Sequence, residues 1–445
     1  MTYFTADVIY SPEGPLQDHY ISVDNGVIQQ VAPLNTLEPR AFRDMIAFED
    51  ALIVPGFVNT HNHSFQSLLK GIADDAAFFD WRDRALYRYG AKLTRDEIYW
   101  GALFAFSEML KNGITTVCDF FYLNDQANEN ARAVIQAAKD LGIRLTLART
   151  FYDWDGAPKR FQENVDQAVN NTEMLMREFE ADQLISVFPA PHSLHGASLA
   201  MIQAGKELAD SWNAPYHMHI AEGRYEREMI IEKTGLSPIQ YLHQQGLLAA
   251  NLVGIHCVWL DDRDIELMAG SGMGVCYNPS SNMFLGDGVT RISDLIKAGV
   301  SISLGTDGGC SNNRASIVEE MRMTSLLQKV THCDATVISA EDVFKMGTVT
   351  GGSHLGRPIG AIAKGYAADL TVIDLDDLSM QPRAFFQKNM VYAMQPSAVQ
   401  AVIVNGSKVF ERGELLGAIT EGHIVEKIQT ITGNWEAVPS KVALK

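Results

Sequence analysis

The chain has 445 residues, of which 47% are hydrophobic, and its formal net charge is −18. This length and composition predict an ordered globular protein with room for one large domain and one small domain. The negative charge argues against nucleic acid or an anionic membrane as a partner, because either would require clustered Lys and Arg side chains, and the sequence holds no such cluster.

The sequence also predicts where in the cell the protein is located. It contains no run of about 20 apolar residues, and its first residues, MTYFTADVIY, lack the basic and apolar regions of a secretory signal. We therefore expect a soluble, cytoplasmic protein. The five cysteines are scattered and form no C-x-x-C pair, which argues against a disulfide framework and against a thiolate zinc site.

Both ends of the chain carry short β-like segments. Residues 1–56 alternate apolar and polar positions around the turn sequence DNG at 24–26, and residues 366–445 do so around NG at 405–406. Asn-Gly pairs favour the tight turns of β-hairpins. Because chain termini often lie close together, we expect the two segments to form one small β-sandwich domain.

The segment between them, residues 57–365, alternates strand-like apolar runs with stretches of helical periodicity. Helices are predicted over 98–111, 131–141 and 292–298, each followed closely by a glycine. Eight apolar strands alternating with helices favour an α/β fold with a closed parallel (β/α)8 TIM barrel. An open doubly wound sheet is the alternative, but the Gly-rich phosphate turn that usually accompanies it is absent from the sequence. The predicted strands are Val54–Val58, Thr115–Phe121, Arg144–Thr150, Ile185–Pro189, Pro215–Ile220, Leu252–His256, Gly274–Tyr277 and Ser301–Gly305.

Polar side chains follow several of these strands at their carboxyl ends, where such a barrel carries its chemistry. The first strand is followed by His61 and His63, and side chains two apart on an extended backbone point the same way. Imidazoles and carboxylates are ligands for divalent metal ions, so their combination predicts a metal site at this end of the barrel. The other strand ends add His217, His219 and Glu222 at the fifth strand, His256 at the sixth and Asp307 at the eighth.

The motifs at these strand ends resemble those of the amidohydrolase superfamily. Within it, they resemble the branch of deaminases and chlorohydrolases that act on nitrogen heterocycles, which includes S-adenosylhomocysteine and methylthioadenosine deaminases, 8-oxoguanine and pterin deaminases and atrazine chlorohydrolase. The resemblance covers nearly the whole chain. Its motifs are PGFVNTHNH at 55–63, HIAE at 219–222, HCVW at 256–259, NPSSN at 278–282, GTDG at 305–308, SNN at 311–313 and GYAADL at 365–370.

The resemblance implies one divalent metal ion, Zn(II) or alternatively Fe(II), with the ligands His61, His63, His219 and Asp307. His217 shares the strand face with His219, but the family pattern counts back three residues from Glu222, which favours His219 as the ligand. Relatives that bind two metal ions use a lysine at the end of the fourth strand, where this chain has PAPH at 189–192. The missing lysine implies a single ion, and deamination in preference to cyclic-amide hydrolysis.

The implied reaction is a hydrolytic deamination by metal-bound hydroxide. A divalent ion lowers the pKa of its bound water to about 7. By the resemblance, Asp307 and His256 flank this water and take its proton, while Glu222 protonates a ring nitrogen of a purine or adenosine derivative, a pterin, a pyrimidine or an s-triazine. A chlorohydrolase and an amide or urea hydrolase are alternatives that would use the same site. A non-catalytic binding protein is disfavoured because the ligand set is complete.

Five further residues are expected to contact the substrate: His192, Gln66, Trp81, Asp80 and Arg149. His192 matches a substrate-contacting position of the adenosine-derivative deaminases, and Asp80 lies where the nucleoside enzymes keep an acidic ribose contact. Gln66 can pair with a ring amide or cap a turn, and Arg149 can bind a substrate carboxylate or form a structural ion pair. By analogy with such barrels, we also expect a homo-oligomer.

Overall fold

The computed structural model describes residues 1–437 and has a mixed α/β architecture, so the last part of the predicted terminal segment, 438–445, lies outside the described residues. Its strands are β1 Thr2–Ser11, β2 Gly14–Leu16, β3 His19–Asp24, β4 Val27–Pro33, β5 Met45–Pro55, β6 Phe57–Asn62, β7 Ile114–Phe121, β8 Arg144–Phe151, β9 Ile185–Pro191, β10 Tyr216–Ile220, β11 Leu252–His256, β12 Gly274–Tyr277, β13 Ile302–Leu304, β14 Leu370–Asp374, β15 Val399–Val404, β16 Ser407–Glu411 and β17 Glu414–Leu415.

The α-helices, taken in the same order, lie mostly between and around the central strands. They are α1 Phe78–Trp81, α2 Arg95–Lys111, α3 Glu129–Leu141, α4 Val165–Glu178, α5 Leu199–Ser211, α6 Arg224–Thr234, α7 Pro238–Gln244, α8 Asp262–Ser271, α9 Pro279–Leu285, α10 Ile292–Lys297, α11 Ile317–His332, α12 Ala340–Met346, α13 Val349–His354, α14 Phe386–Tyr392 and α15 Glu421–Thr432. Within residues 1–437, none of the helices combines the length and the apolar character needed to cross a membrane.

The central strands form two parallel sheets. Strands β6 to β9 make one four-stranded sheet, and β10 to β13 make the other. Backbone hydrogen bonds cross both seams between them: His219 N donates to His192 O over 3.0 Å, and Asp307 N donates to His61 O over 3.0 Å. Because the strands are parallel, their carboxyl ends all face the same end of the core.

Most of the predicted elements of this region are confirmed. Seven strands differ from the prediction by at most one or two residues at an end, and β11 and β12 match at both ends. The predicted helices are confirmed as α2, α3 and α10. Helix α2 begins earlier than predicted because the side chain of Thr94 caps it, accepting a hydrogen bond from Glu97 N in a capping box.

The predicted first strand, Val54–Val58, is wrong at its start. Val54 and Pro55 end β5 of a different sheet, and the parallel strand β6 begins only at Phe57. The sequence hides this change because the run is apolar and buried on both sides of the break. Gly56 makes the crossing possible, since a Cβ there would lie 2.2 Å from the Thr115 side chain.

Both ends of the chain build one sheet, whose order in the described residues is β17-β16-β15-β14-β5-β1-β3-β4, with β2 paired to β1. At the β4 edge, Ile28 N donates to Tyr366 O and Gly365 N donates to Ile28 O, each over 2.8 Å. The sheet therefore curls back towards the segment that leads into β14. It encloses a separate apolar core that includes Phe4 and Leu370.

A buried ion pair joins this terminal sheet to the parallel strands. Arg144, at the start of β8, donates from Nε to Asp369 Oδ2 over 2.6 Å and from Nη2 to Asp369 Oδ1 over 2.9 Å. The two side chains are 3% and 1% exposed. Asn405 N also donates to Asp369 Oδ1, over 2.7 Å. This two-pronged geometry compensates two charges that water cannot reach.

We expect Arg144→Ala to lower the free energy of unfolding by about 3–5 kcal/mol, because it leaves the Asp369 carboxylate buried without its partner. Arg263→Ala is the matched control, since the ion pair of Arg263 with Glu266 is 63% and 65% exposed. Its loss should cost less than about 1 kcal/mol. Urea denaturation followed by circular dichroism measures both variants. Equal losses of stability in the two arginine variants would show that the Asp369 carboxylate does not need its partner. So would a larger loss in the double variant Arg144→Met with Asp369→Leu than in Arg144→Ala alone.

Candidate metal centre and active-site pocket

Four side chains meet at the carboxyl ends of the parallel strands. His61 lies on β6, His63 directly follows it, His219 lies on β10, and Asp307 follows β13. Asp307 Oδ1 lies 3.3 Å from Nε2 of both His61 and His63. The ligand atoms of His61, His63 and His219 lie within 4.8 Å of one another, as do those of His61, His256 and Asp307. All of these side chains are buried.

The hydrogen bonds around the imidazoles leave nitrogen atoms facing this centre. His63 Nδ1 lies 2.6 Å from Phe120 O, and His219 Nδ1 lies 3.0 Å from His192 O. Each ring therefore carries its proton on Nδ1 and presents the lone pair of Nε2. Both ring nitrogens of His61 are buried without a hydrogen-bond partner among the described residues. Buried polar atoms are rarely left so, and three imidazoles with a carboxylate are a donor set that fits Zn(II) or Fe(II).

The protonation states also suit a metal centre. Burial lowers the pKa of His61 to about 3 and lowers the pKa values of His63 and His219, so that all three rings are neutral. Burial alone would raise the pKa of Asp307, but the adjacent imidazole of His61, followed by those of His256 and His63, holds the pKa of this carboxyl group well below its usual range. Metal binding requires neutral imidazoles and an ionised carboxylate, which are the states found here.

The backbone turns sharply where these side chains leave their strands. Asp307, His256 and Ala221 have φ values of 58°, 70° and 50°, in the left-handed region that residues other than glycine rarely adopt. Such conformations cost about 1–3 kcal/mol each and persist only where the surroundings enforce them. At Asp307 the surroundings include Ser281 Oγ and Ser311 Oγ, which donate to Oδ2 over 2.6 Å and 3.1 Å.

His256 and Glu222 lie beside the ligand set. His256 Nε2 is 3.6 Å from Glu222 Oε1 and 4.0 Å from Asp307 Oδ2. On the other side of its ring, Nδ1 accepts hydrogen bonds from the amides of Asn278 and Asn282, over 3.2 Å and 3.0 Å. A neutral imidazole whose Nδ1 accepts carries its proton on Nε2. His256 therefore points an N–H group towards Glu222 and Asp307.

Glu222 differs from Asp307 in its protonation state. Burial, together with the charges of Asp287, Asp307 and Glu226, raises the pKa of Glu222 well above its usual value. Glu226 also holds the backbone of this residue, because its Oε2 accepts a hydrogen bond from Glu222 N over 3.1 Å. A carboxyl group that is protonated at neutral pH can act as a general acid.

A pocket opens over these groups, and its walls are largely aromatic. Flat rings favour the binding of a flat heterocycle, because stacking adds to the burial of apolar surface. The floor of the pocket includes His63, His219, Glu222, His256 and Asp307. The aromatic walls include Phe78, Trp81, Tyr87, Tyr122, Tyr152 and Trp154.

Three of the five expected substrate contacts line this pocket, namely His192, Gln66 and Trp81. Gln66 Nε2 donates to the hydroxyl of Tyr122 over 2.7 Å, and Trp81 Nε1 donates to Cys310 O over 2.9 Å. These hydrogen bonds fix the orientation of both side chains. They leave the indole ring of Trp81 and the remaining donor of Gln66 available to the pocket.

The other two expected contacts lie elsewhere. Arg149 is fully buried, and its Nη1 and Nη2 donate to both carboxylate oxygens of Glu163, over 2.7 Å and 2.8 Å, while its Nε donates to Asn128 over 2.9 Å. It therefore has the structural role that was the alternative for this residue. Asp80 lies on α1 with Oδ1 3.9 Å from Nη1 of Arg84, and it is not among the residues that line the pocket within the described chain.

Much of the pocket wall was missed by sequence reasoning. Tyr122 directly follows β7 and Tyr152 directly follows β8, so the strand-end rule that found the ligands applies to them as well. Arg82 begins the π-type helix Arg82–Gly90 after α1 and carries no such signal. His217, the alternative to His219 as a metal ligand, lies in the core, where its Nε2 is 3.3 Å from the carbonyl oxygen of His354.

Comparison with known sequences gives a consistent set of relatives. A family model described as the amidohydrolase family matches residues 52–409. The 5-methylthioadenosine/S-adenosylhomocysteine deaminase of Caldicellulosiruptor saccharolyticus is 32% identical over 414 residues, which cover 92% of this chain and 92% of the relative. The 5′-deoxyadenosine deaminase of Methanopyrus kandleri is 32% identical over 416 residues, which cover 92% of this chain and 94% of the relative.

Solved structures resemble the chain over almost its full length. An adenosine deaminase from Xanthomonas campestris with bound zinc superposes with a TM-score of 0.89 at 27% identity, covering 97% of this chain and 98% of that one. An atrazine chlorohydrolase from Arthrobacter aurescens complexed with zinc also gives a TM-score of 0.89, at 22% identity, with 97% and 100% covered. The second similarity concerns the fold alone.

We expect His219→Asn to lose most of the metal bound by the protein, because it removes one of the converging imidazoles. His217→Asn is the matched control: the same residue type on the same strand, also fully buried, but bonded into the core. It should keep the metal content of the unsubstituted protein. Metal analysis of gel-filtered, folded samples, with a chelator-dialysed sample as blank, measures the difference. Loss of metal from His217→Asn with retention by His219→Asn would reverse the assignment.

Proposed function

The chain belongs to the amidohydrolase family, and on that premise we propose that it is a hydrolytic deaminase of an amino-substituted nitrogen heterocycle, dependent on one divalent metal ion. The observation that carries the proposal is the meeting of the potential metal site with the buried carboxyl group of Glu222, whose pKa is raised, at the floor of an aromatic pocket. Relatives named as deaminases support a hydrolase that cleaves the carbon–nitrogen bond of a cyclic amidine. The proposed ligands are His61, His63, His219 and Asp307, and the proposed ion is Zn(II), with Fe(II) as the alternative.

We propose that β6 to β13 close into a (β/α)8 barrel over residues 57–365, and that residues 1–56 and 366–445 form a separate β-sandwich domain. The hydrogen bonds at both seams of the parallel sheets support the barrel. The separate apolar core of the terminal sheet supports the second domain. The cytoplasmic location and the homo-oligomer stay predictions from the sequence.

Asp307 is the proposed proton acceptor. A divalent ion at this site supplies a Lewis acid, which makes water a competent nucleophile near neutral pH. The ionised carboxylate of Asp307 takes one proton from the attacking water as its oxygen bonds to the ring carbon. The two serine hydroxyls that hold Oδ2 fix the direction of the carboxylate, so that Oδ1 faces the histidines. Asp307 then delivers this proton to the departing amine.

Glu222 is the proposed proton donor. Because its carboxyl group is protonated, it can transfer its proton to the ring nitrogen while the carbon is attacked, which prevents negative charge from building up on the ring. When the tetrahedral adduct collapses and the carbon–nitrogen bond breaks, Glu222 recovers a proton from the added hydroxyl group. The products are ammonia and a ring carbonyl, and both carboxyl groups return to their starting states.

His256 is proposed to donate a hydrogen bond. Its Nδ1 already accepts from Asn278 and Asn282, so the proton on Nε2 faces the reaction centre. This arrangement suits stabilisation of the oxygen atom that adds to the ring. It differs from the proton-accepting role that the sequence resemblance implied for His256, and it leaves Asp307 as the base.

The experiment that tests the function is ammonia release by the metal-loaded protein from adenosine derivatives, guanine derivatives, pterins, cytosines and aminotriazines. A chelator-treated sample is the control. Metal-dependent ammonia release from one ring class supports the proposal and names the ring. No release from any class, with metal bound, contradicts it. Chloride released from chlorinated triazines in parallel reactions would identify the chlorohydrolase alternative.

We expect Glu222→Gln to lower kcat by a factor of about 10²–10⁴, because an amide cannot supply the proton to the ring nitrogen. The metal content should not change, since Glu222 is not a proposed ligand. Glu228→Gln is the matched control on α6, where the Glu228 side chain is 60% exposed and pairs with Arg224. It should keep the unsubstituted rate. A near-normal kcat for folded, metal-loaded Glu222→Gln would remove the proton-donor role.

A further inference from the structure

Arg82 brings a fixed positive charge to the wall of the active-site pocket. Among the pocket-lining residues in the described chain, it is the one Arg or Lys. Burial lowers its pKa, but the hydrogen bond with Asp83 and the interactions with Tyr87 and Asp83 raise the pKa of Arg82 above its usual value overall, so the guanidinium stays charged. The positive charge of Arg82 is opposite in sign to the net charge of the chain, which is −18.

Three aromatic rings hold the guanidinium in place. Its central carbon lies 4.9 Å from the ring centroid of Phe79, 5.2 Å from that of Tyr87 and 5.5 Å from that of Trp154. The electron-rich face of each ring attracts the cation, and more strongly where water is excluded. The side chain of Arg82 is only 22% exposed. The charge is therefore held in one position before any ligand arrives.

The hydrogen-bonding edge of this guanidinium is largely unused. Nε donates to Asp83 Oδ1 over 2.7 Å, and within residues 1–437 the hydrogen bonds of the Arg82 side chain stop there. The other inward-facing arginines differ. Nη2 of Arg144 binds a carboxylate oxygen of Asp369 over 2.9 Å, and both terminal nitrogens of Arg149 bind Glu163 over 2.7 Å and 2.8 Å.

Within the described residues, the carboxylate that pairs with Arg82 is that of Asp83, which is 52% exposed and bound at Nε, so the terminal nitrogens of the guanidinium stay open to a ligand. The acidic groups of the lining, Glu222 and Asp307, lie at the floor, where the proposed function already uses them. A guanidinium held by its faces presents two parallel N–H groups along its edge, and that geometry matches the two oxygens of a carboxylate or of a phosphate. Pairing in a partly buried pocket is also stronger than pairing at the surface.

We propose that Arg82 is a specificity-determining residue that binds an anionic substituent, a carboxylate or a phosphate, on the heterocyclic substrate. The proposal rests on the deaminase function and narrows its substrate class. The amino-bearing edge of the ring faces the floor of the pocket, and the anionic substituent lies at the Arg82 wall. The substrate thus carries a carboxylate or a phosphate group, whatever its net charge.

Matched substrate pairs test this inference. Adenosine with adenosine 5′-monophosphate and pterin with pterin-6-carboxylate each differ by one anionic group, and the two pairs distinguish phosphate from carboxylate. In the metal-loaded protein, we expect the anionic member of the productive pair to have a kcat/KM at least about tenfold higher, as charge-assisted hydrogen bonds allow. Raising the salt concentration should reduce the preference.

Substitution of Arg82 separates recognition from a structural role. Arg82→Gln should raise KM for the anionic member about 10- to 100-fold, leave its kcat within about twofold and hardly affect the neutral member. Arg82→Lys should keep part of the preference for the anionic member, since lysine has the positive charge but lacks the two parallel N–H groups of the guanidinium. Arg88→Gln is the matched control on the same π-type helix, because the Arg88 side chain is 47% exposed and pairs with Glu436. It should keep the full preference.

Several outcomes would overturn the inference. One is equal kcat/KM for both members of every pair that turns over. Another is an equal loss for both members in Arg82→Gln, which would mean that Arg82 supports the ring or the fold. If no member of either pair turns over while metal is bound, neither adenosine nor pterin is the ring, and the proposed function fails only if the guanine, cytosine and aminotriazine classes also release no ammonia. Calorimetric titration with adenosine 5′-monophosphate and pterin-6-carboxylate then tests whether Arg82 binds the anionic group. Weaker binding by Arg82→Gln than by the unsubstituted protein supports the inference, and unchanged binding contradicts it.

Discussion

The site depends on the register with which the last parallel strand meets the first. Asn59 on β6 donates from Nδ2 to Thr306 Oγ1 over 2.7 Å and accepts from Thr306 N over 3.0 Å, joining residues that are 247 positions apart in the sequence. Next to this pair, Asp307 N donates to His61 O over 3.0 Å. All of these groups are buried. Because side chains alternate along a strand, a slip of one residue here would turn the carboxylate away from the histidines.

With the strands in register, the carboxyl groups of Asp307 and Glu222 are equally buried, so the difference between their charges comes from the groups around them. Asp307 and Glu222 are both buried carboxyl groups near the same histidines. At Asp307 the imidazoles of His61, His256 and His63 favour the ionised form, and two serine hydroxyls donate to its Oδ2. At Glu222, burial and the acidic groups of Asp287, Asp307 and Glu226 act in the same direction, and both favour the neutral form. Opposite shifts of neighbouring carboxyl groups are what an acid and a base require at one pH.

The sequence predicted the ligand set because polar residues at the ends of apolar strands are visible as a pattern. It did not reveal where β5 ends and β6 begins, because the apolar run continues through Gly56 without a change in polarity. It also did not distinguish a substrate-binding role of Arg149 from a structural ion pair. The ion-pair partner, Glu163, lies in a loop with no sequence signal of its own. Part of the pocket wall comes from α1 and from the π-type helix that follows it, and the side chains of these connecting helices are positioned by tertiary contacts that no local pattern records.

The strands of the terminal sheet are synthesised at two widely separated times. Strand β5 pairs with β1 on one side, and its other edge pairs with β14, which is synthesised only after every central strand and helix. Until then the growing chain carries an apolar strand with an open edge, of the kind that recruits other chains. Nascent chains therefore still expose this edge after the central region is complete. Faster synthesis of the segment up to β14 would shorten the time for which this edge stays open.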